Sequence, residues 1–217
     1  MIAAFCNWFV KITGWLPQLL IFRIKVYYKN KRTQDRKIKG KAIIASNHKS
    51  LFDLAALMFV FWRRTLRCVV AEIMYQKNIF MTALLKALGT VRVNREALDF
   101  TFIGRCKRIL DKGGIVEIFP ESRLPTKEDG GELLEFKPSV VYLALETGAP
   151  IIPVYTNGKY FSRERTRVII GEPIMATEMY DENITDKENI LNITLYLRGK
   201  IIELREELQR QLDGENS

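Results

Sequence analysis

Short apolar runs rich in Val and Ile alternate along the chain with longer stretches in which apolar side chains recur every three or four positions. The short runs read as strands and the longer ones as amphipathic helices. Strands are expected at 41–46, 66–71, 90–93, 114–119, 150–155 and 167–171, and helices at 51–62, 76–88, 97–112 and 138–147. Gly89, Gly113 and Gly148 stand where a left-handed residue would end a helix, and Pro138 suits a first helical turn. A last amphipathic helix is expected at 188–212, packed outside the sheet. This alternation predicts an α/β fold with a mixed, partly parallel sheet flanked by helices. Ligands in such sheets bind beyond the C-terminal ends of the strands, which directs attention to 47–53, 92–95 and 119–123.

The N-terminal stretch MIAAFCNWFVKITGWLPQLLIF departs from this pattern. It is aromatic and apolar but interrupted by Asn7, Lys11 and Pro17, so it falls short of the roughly 18 apolar residues of a spanning helix. It also lacks the basic start and small-residue cleavage site of a removable signal peptide. Between Arg23 and Lys41 follow nine basic residues and one acidic residue, Asp35, within a chain of formal charge +9, whereas the end of the chain from Glu172 is net acidic. An apolar segment followed by a polybasic one suits an amphipathic anchor lying in an anionic membrane surface. The competing reading is a core-packing helix followed by a solvated basic loop. The expected organisation is therefore an anchor and polybasic segment at 1–41 and one domain at 42–217, ending in the amphipathic helix.

Nucleic acid is the other partner that such charge attracts, with Tyr27 and Tyr28 as stacking residues. No recognisable nucleic-acid-binding motif accompanies the basic segment, so no nucleic-acid partner is expected. A non-catalytic basic protein that binds nucleic acid or lipid is the alternative of another class. The three cysteines, Cys6, Cys68 and Cys106, show no paired spacing, which points to a reducing setting rather than a disulfide framework. With one histidine in 217 residues, a multi-histidine metal centre is excluded within one chain, and no metal or organic cofactor is expected.

That histidine, His48, lies in Ser46-Asn-His-Lys-Ser-Leu-Phe-Asp53, which leaves a strand and enters a helix. An imidazole can accept a proton near neutral pH, and a carboxylate beside it can hold its tautomer and stabilise the imidazolium. If His48 lies in the turn and Asp53 in the first helical turn, the two side chains can meet. Ser50-Leu-Phe-Asp53 also reads as a capping box, which would account for Asp53 without catalysis. Arg92, Arg95 and Lys137 are candidates for holding a phosphate. Arg92 and Arg95 would face opposite sides of a regular strand, and Arg95 is favoured. Trp8, Trp15, Trp62, Phe59 and Phe61 are candidates for bordering an apolar tunnel or interface, against the commoner role of core packing.

The pattern Asn47-His48-x4-Asp53 in a strand-to-helix turn resembles the glycerolipid acyltransferase family, lysophosphatidate acyltransferases included. Three further blocks follow in the family's order: Gly89-Thr-Val-Arg92-Val-Asn94-Arg95, Phe119-Pro-Glu121-Ser122-Arg123 and Ala149-Pro150-Ile-Ile-Pro153-Val. The third departs from the family at Ser122, which stands where glycine is usual, with Arg123 directly after it. The resemblance implies direct acyl transfer, with His48 as general base oriented by Asp53 and with Arg95 and Glu121 in the acceptor's glycerol-phosphate site. Arg92, Arg123 and Lys137 are further candidates there. The implied substrates are an acyl-ACP or acyl-CoA donor and a lysophospholipid acceptor, foremost 1-acyl-sn-glycerol 3-phosphate, giving phosphatidic acid. Glycerol 3-phosphate and a lyso-aminolipid are the alternative acceptors. The implied place of action is the cytoplasmic face of the membrane, as a peripheral or monotopic protein.

Overall fold

The computed structural model describes residues 2–94 and 101–215. The chain opens with α1 (Ile2–Thr13) and α2 (Trp15–Ile21) and then enters β1 (Lys25–Tyr28). It continues through β2 (Ala42–Ser46), α3 (Asp53–Val60), β3 (Leu66–Ala71), α4 (Glu72–Gln76), α5 (Ile79–Leu88) and β4 (Val91–Val93). After α6 (Thr101–Asp111) come β5 (Ile115–Ile118), α7 (Ser139–Thr147), β6 (Ile151–Thr156), β7 (Arg167–Ile170) and the long α8 (Asp186–Glu215). All six expected strands are present. β1 was not among them, because its apolar positions are embedded in the polybasic segment. The expected helix at 76–88 divides at Lys77: the Asn78 side chain accepts the Met81 amide and starts α5 as a separate helix.

The strands form one seven-stranded sheet in the order β1-β7-β6-β2-β5-β3-β4, and only the β6–β7 pairing is antiparallel. Helices cover both faces, so the central strands are apolar on both sides, as in Ala42-Ile-Ile-Ala45. Ile43, Ala45, Val116, Ile118 and Ile151 pack on α6, α7 and α8, while Ala42, Ile44, Ile115 and Phe119 pack with Leu57 and Val60 of α3. Chain connections leave β2 towards β3 on one side and leave β5 towards β6 on the other. The C-terminal ends of β2 and β5 therefore lie at the point where the topology reverses, the usual ligand crevice of such sheets.

Glu117 and Lys11 bring ionisable groups into the α3 layer. Glu117 on β5, level with Ile44 and Cys68 on the neighbouring strands, is fully buried, and neither carboxylate oxygen finds a hydrogen-bond donor among the described residues. Burial raises its pKa well above the ordinary 4.5; the Asp53 charge adds to this and Lys11 opposes it. Lys11 reaches in from α1 and donates to the carbonyls of Trp62 at 3.1 Å and Arg64 at 2.6 Å, beyond the end of α3. Burial lowers its pKa to about 8, against the pull of Glu117.

A carboxyl with a raised folded pKa is equally protonated in both states at low pH. As pH rises through 4.5 the unfolded chain ionises while the native glutamic acid does not, so native stability falls. Glu117→Gln removes this effect. Urea unfolding at pH 4.5 and pH 8 should show a small advantage for the variant at the lower pH and a larger one at the higher; a constant difference would show that Glu117 titrates alike in both states.

Candidate active site

The turn between β2 and α3 carries the chain's one histidine. Asn47 is fully buried at the end of β2, and its amide continues the sheet: Nδ2 donates to the Thr156 carbonyl at 2.9 Å and Oδ1 accepts the Thr156 N–H at 2.7 Å. This side-chain copy of a backbone pair ties the turn to the end of β6. The next residue, His48, places its ring against Phe119 at the end of β5, with centroids 4.3 Å apart and planes 16° from parallel.

His48 Nδ1 lies 2.9 Å from Asp53 Oδ2. The same oxygen accepts the backbone N–H groups of Lys49 at 2.7 Å and Ser50 at 2.8 Å, and Oδ1 accepts the Tyr160 hydroxyl at 2.6 Å. These three fixed partners are donors and the carboxylate is an acceptor, so Nδ1 carries its proton towards Asp53 and Nε2 is left as the acceptor. The Asp53 side chain is wholly buried, whereas 12% of the His48 side chain remains exposed, so the base is open to a substrate and its orienting charge is not.

The capping arrangement expected at Ser50-x-x-Asp53 is half made. Asp53 reaches back to the Ser50 N–H, but the Ser50 hydroxyl accepts the Phe52 amide at 3.2 Å, and the Asp53 N–H goes to the Ser50 carbonyl. Capping and orientation of the imidazole are thus served by one carboxylate.

Glu121 lies on the other side of the turn, 5% exposed. Its Oε1 accepts the His48 N–H at 2.7 Å and its Oε2 accepts the Leu134 N–H at 2.9 Å, so its partners are backbone amides rather than an arginine. Ser122 follows with φ +61°, in the left-handed region, closing a turn in which its N–H donates to the Phe119 carbonyl. Glycine would meet this backbone requirement without side-chain strain; here a serine takes it.

The remaining expected phosphate residues are more dispersed. Arg95 lies outside the described residues. Arg92 is exposed on β4 and paired with Glu72 at the start of α4. Arg123 is exposed and forks onto Asp129 at 2.8 and 2.9 Å. Lys137 is exposed just before α7, and its backbone N–H donates to the Pro120 carbonyl at 2.9 Å. Of the aromatic candidates, Phe61 is core, whereas Trp8, Trp15, Phe59 and Trp62 line a cavity of about 570 Å³ between α1, α2 and α3, which Lys11 and Arg36 also border. Sequence reasoning missed Tyr160 and the bracing role of Asn47, because both depend on contacts more than a hundred residues apart in the chain.

The family model for acyltransferases matches residues 23–157. The human 1-acyl-sn-glycerol-3-phosphate acyltransferase beta is 25% identical over 175 residues, which cover 76% of this chain and 62% of the human protein. The 1-acyl-sn-glycerol-3-phosphate acyltransferase of Haemophilus influenzae is 25% identical over 208 residues, covering 92% and 84% of the two chains. That of Borreliella burgdorferi is 28% identical over 127 residues, covering 57% of this chain and 49% of the relative. The chain therefore spans less than two thirds of the length of the human and Borreliella relatives. The crystal structure of the 1-acyl-sn-glycerophosphate acyltransferase from Thermotoga maritima shares the fold, with a TM-score of 0.65 over 94% of this chain and 80% of that one at 18% identity.

Two substitutions probe the brace around His48. Glu121→Gln presents an amide N–H₂ to one of two backbone N–H groups, so it should lower the unfolding midpoint and disturb the His48 amide in NMR spectra. Ser122→Gly relieves a left-handed serine, and because glycine also loosens the unfolded chain, the expected net gain is only ~0.5–1 kcal/mol in denaturant unfolding.

Proposed function

Since the chain belongs to the acyltransferase family, we propose that it moves a fatty acyl group from a thioester donor onto the free hydroxyl of a lysophospholipid, with His48 as general base. The observation that carries this reading is the His48–Asp53 contact at 2.9 Å, with the far ring nitrogen left as acceptor at a partly open face. His48 Nε2 takes the hydroxyl proton as the acceptor oxygen attacks the thioester carbonyl, and Asp53 stabilises the imidazolium. Collapse of the tetrahedral species forms the ester and expels the thiolate, which receives the proton from His48. No covalent enzyme intermediate is needed.

The acceptor proposed is 1-acyl-sn-glycerol 3-phosphate, giving phosphatidic acid, and the donor an acyl-ACP or acyl-CoA. Support comes from the names of the relatives in Homo sapiens and Haemophilus influenzae. The apolar cavity between α1, α2 and α3 suits an acyl chain. α3 connects the two places, with Asp53 at its start beside His48 and Phe59 and Val60 at its end lining the cavity, about 10 Å along the helix.

The proposed place of work is an anionic membrane surface. Helix α1 is turned inside out: its polar residues Asn7 and Lys11 are buried, while Phe5, Phe9 and Ile12 are exposed, as are Leu16 and Leu20 of α2. A helix that packs its polar side on the protein leaves its apolar side for another apolar phase. Exposed Ile79 and Phe80 at the start of α5, which packs on α1, extend that apolar character. No described helix is long and apolar enough to cross a membrane, so the contact proposed lies in the plane of the surface. The free thiols of Cys6 and Cys106 suit a reducing compartment and hence the cytoplasmic face.

Two experiments test this reading. His48→Ala should lower kcat by roughly 10² to 10⁴ in an assay of thiol release and phosphatidic acid formation, with folding unchanged; a rate within a few-fold of the parent would sink the mechanism. Leu16→Glu together with Leu20→Glu should weaken sedimentation with anionic vesicles while the melting temperature stays near the parent's, and unaltered binding would remove α2 from the contact.

A further inference from the structure

Asp53 presents one oxygen, Oδ2, to His48 and the turn amides, and the other, Oδ1, to Tyr160. We propose that Tyr160 is a positioning residue for acyl transfer, its hydroxyl fixing the rotation of the Asp53 carboxylate and thereby the plane in which His48 is held. This rests on the reading of His48 as the base.

The contact is built from both sides. Tyr160 lies in the loop between β6 and β7, and that loop approaches the His48 turn at Gly158. A Cβ at Gly158, whose φ is +67°, would fall 2.4 Å from the Lys49 Cβ. A side chain there would force loop and turn apart, so glycine permits the approach that brings the phenol to Asp53. The Tyr160 ring is then held edge-on by Phe22 at 5.2 Å, with Phe52 at 6.3 Å. Its oxygen lies 3.5 Å from the hydroxyl of Thr156, the residue whose backbone Asn47 clasps.

Tyr160 is the donor to Oδ1 among the described residues. Burial, and then the Asp53 charge it faces, push the phenol well above its ordinary value, so it remains a donor throughout any assay range. Rotation about the Cβ–Cγ bond moves both oxygens, so the donor on Oδ1 adds its hold to the three groups on Oδ2 and sets which oxygen faces His48. The charged and titratable groups facing Asp53 are His48 from the turn, Tyr160 from the β6–β7 loop and Glu117 from β5, with Lys11 of α1 beyond Glu117.

The test uses the full chain with an acyl thioester and 1-acyl-sn-glycerol 3-phosphate in mixed micelles. Tyr160→Phe keeps the ring and its aromatic contacts, so the protein should remain folded while kcat falls about ten-fold and both KM values stay within about two-fold. In an Asp53→Asn background the same change should alter kcat less than about two-fold, as expected of residues acting through one another. Since His48 is the chain's single histidine, ¹⁵N-histidine labelling reports one imidazole. Its ring ¹⁵N chemical shifts, which report the tautomer and the Nδ1 hydrogen bond to Asp53, should change in Tyr160→Phe, whereas a merely structural tyrosine would leave them as in the parent. Parent-like kcat and unchanged ring shifts in Tyr160→Phe, with His48→Ala inactive, would overturn this proposal and leave the mechanism standing. An active His48→Ala protein would overturn both.

Discussion

A fully buried carboxylate must be compensated by hydrogen-bond donors, and the turn around Asp53 is arranged to supply them. Leaving such a charge unpaired costs several kcal/mol. Asp53 instead meets two backbone amides, an imidazole and a phenol. Each donor fixes something else: the amides of Lys49 and Ser50 shape the turn, the imidazole is oriented, and the phenol binds in the loop after β6. Glu121 grips the same turn from the β5 side through the His48 amide, and Asn47 clasps it to β6. The ends of three parallel strands are thereby joined at one histidine.

Glu117 is the counter-example within the same layer. It is as buried as Asp53 yet has no donor among the described residues, and burial holds it towards its protonated form. The two buried carboxyls thus differ in their partners, Asp53 meeting donors and Glu117 none among the described residues. Lys11, drawn inward opposite Glu117, brings the polar side of α1 against the domain and turns the apolar side outward. The proposed membrane face and the buried polar layer are two sides of one helix.

The solved structure from Thermotoga maritima shares the fold at 18% identity, so the fold is common to two chains that differ at most positions. At Ser122 the backbone is left-handed although the residue is not glycine. Closure of the turn by the Ser122 N–H and the Lys137 amide on the Pro120 carbonyl offsets the strain of that choice. The neighbouring Glu121 keeps its two backbone amides in place.

The sequence by itself determined the alternation of strands and helices, the glycine stops, and the position of His48 and Asp53 at a strand-to-helix turn. These depend on local periodicity, local backbone preference and a five-residue separation. Four ordered motif blocks were enough to indicate the family. Local pattern did not carry β1, whose Lys25-Val-Tyr-Tyr28 is recognisable as a strand only once β7 lies beside it. Nor did it carry the direction of α1, because Asn7 and Lys11 look like interruptions of an apolar helix until the layer containing Glu117 shows which side faces inward. Tyr160, Asn47 and Glu121 acquire their roles through partners 107, 109 and 73 residues away. Burial sets the need for those partners, and only the packing of distant segments decides which side chain meets it.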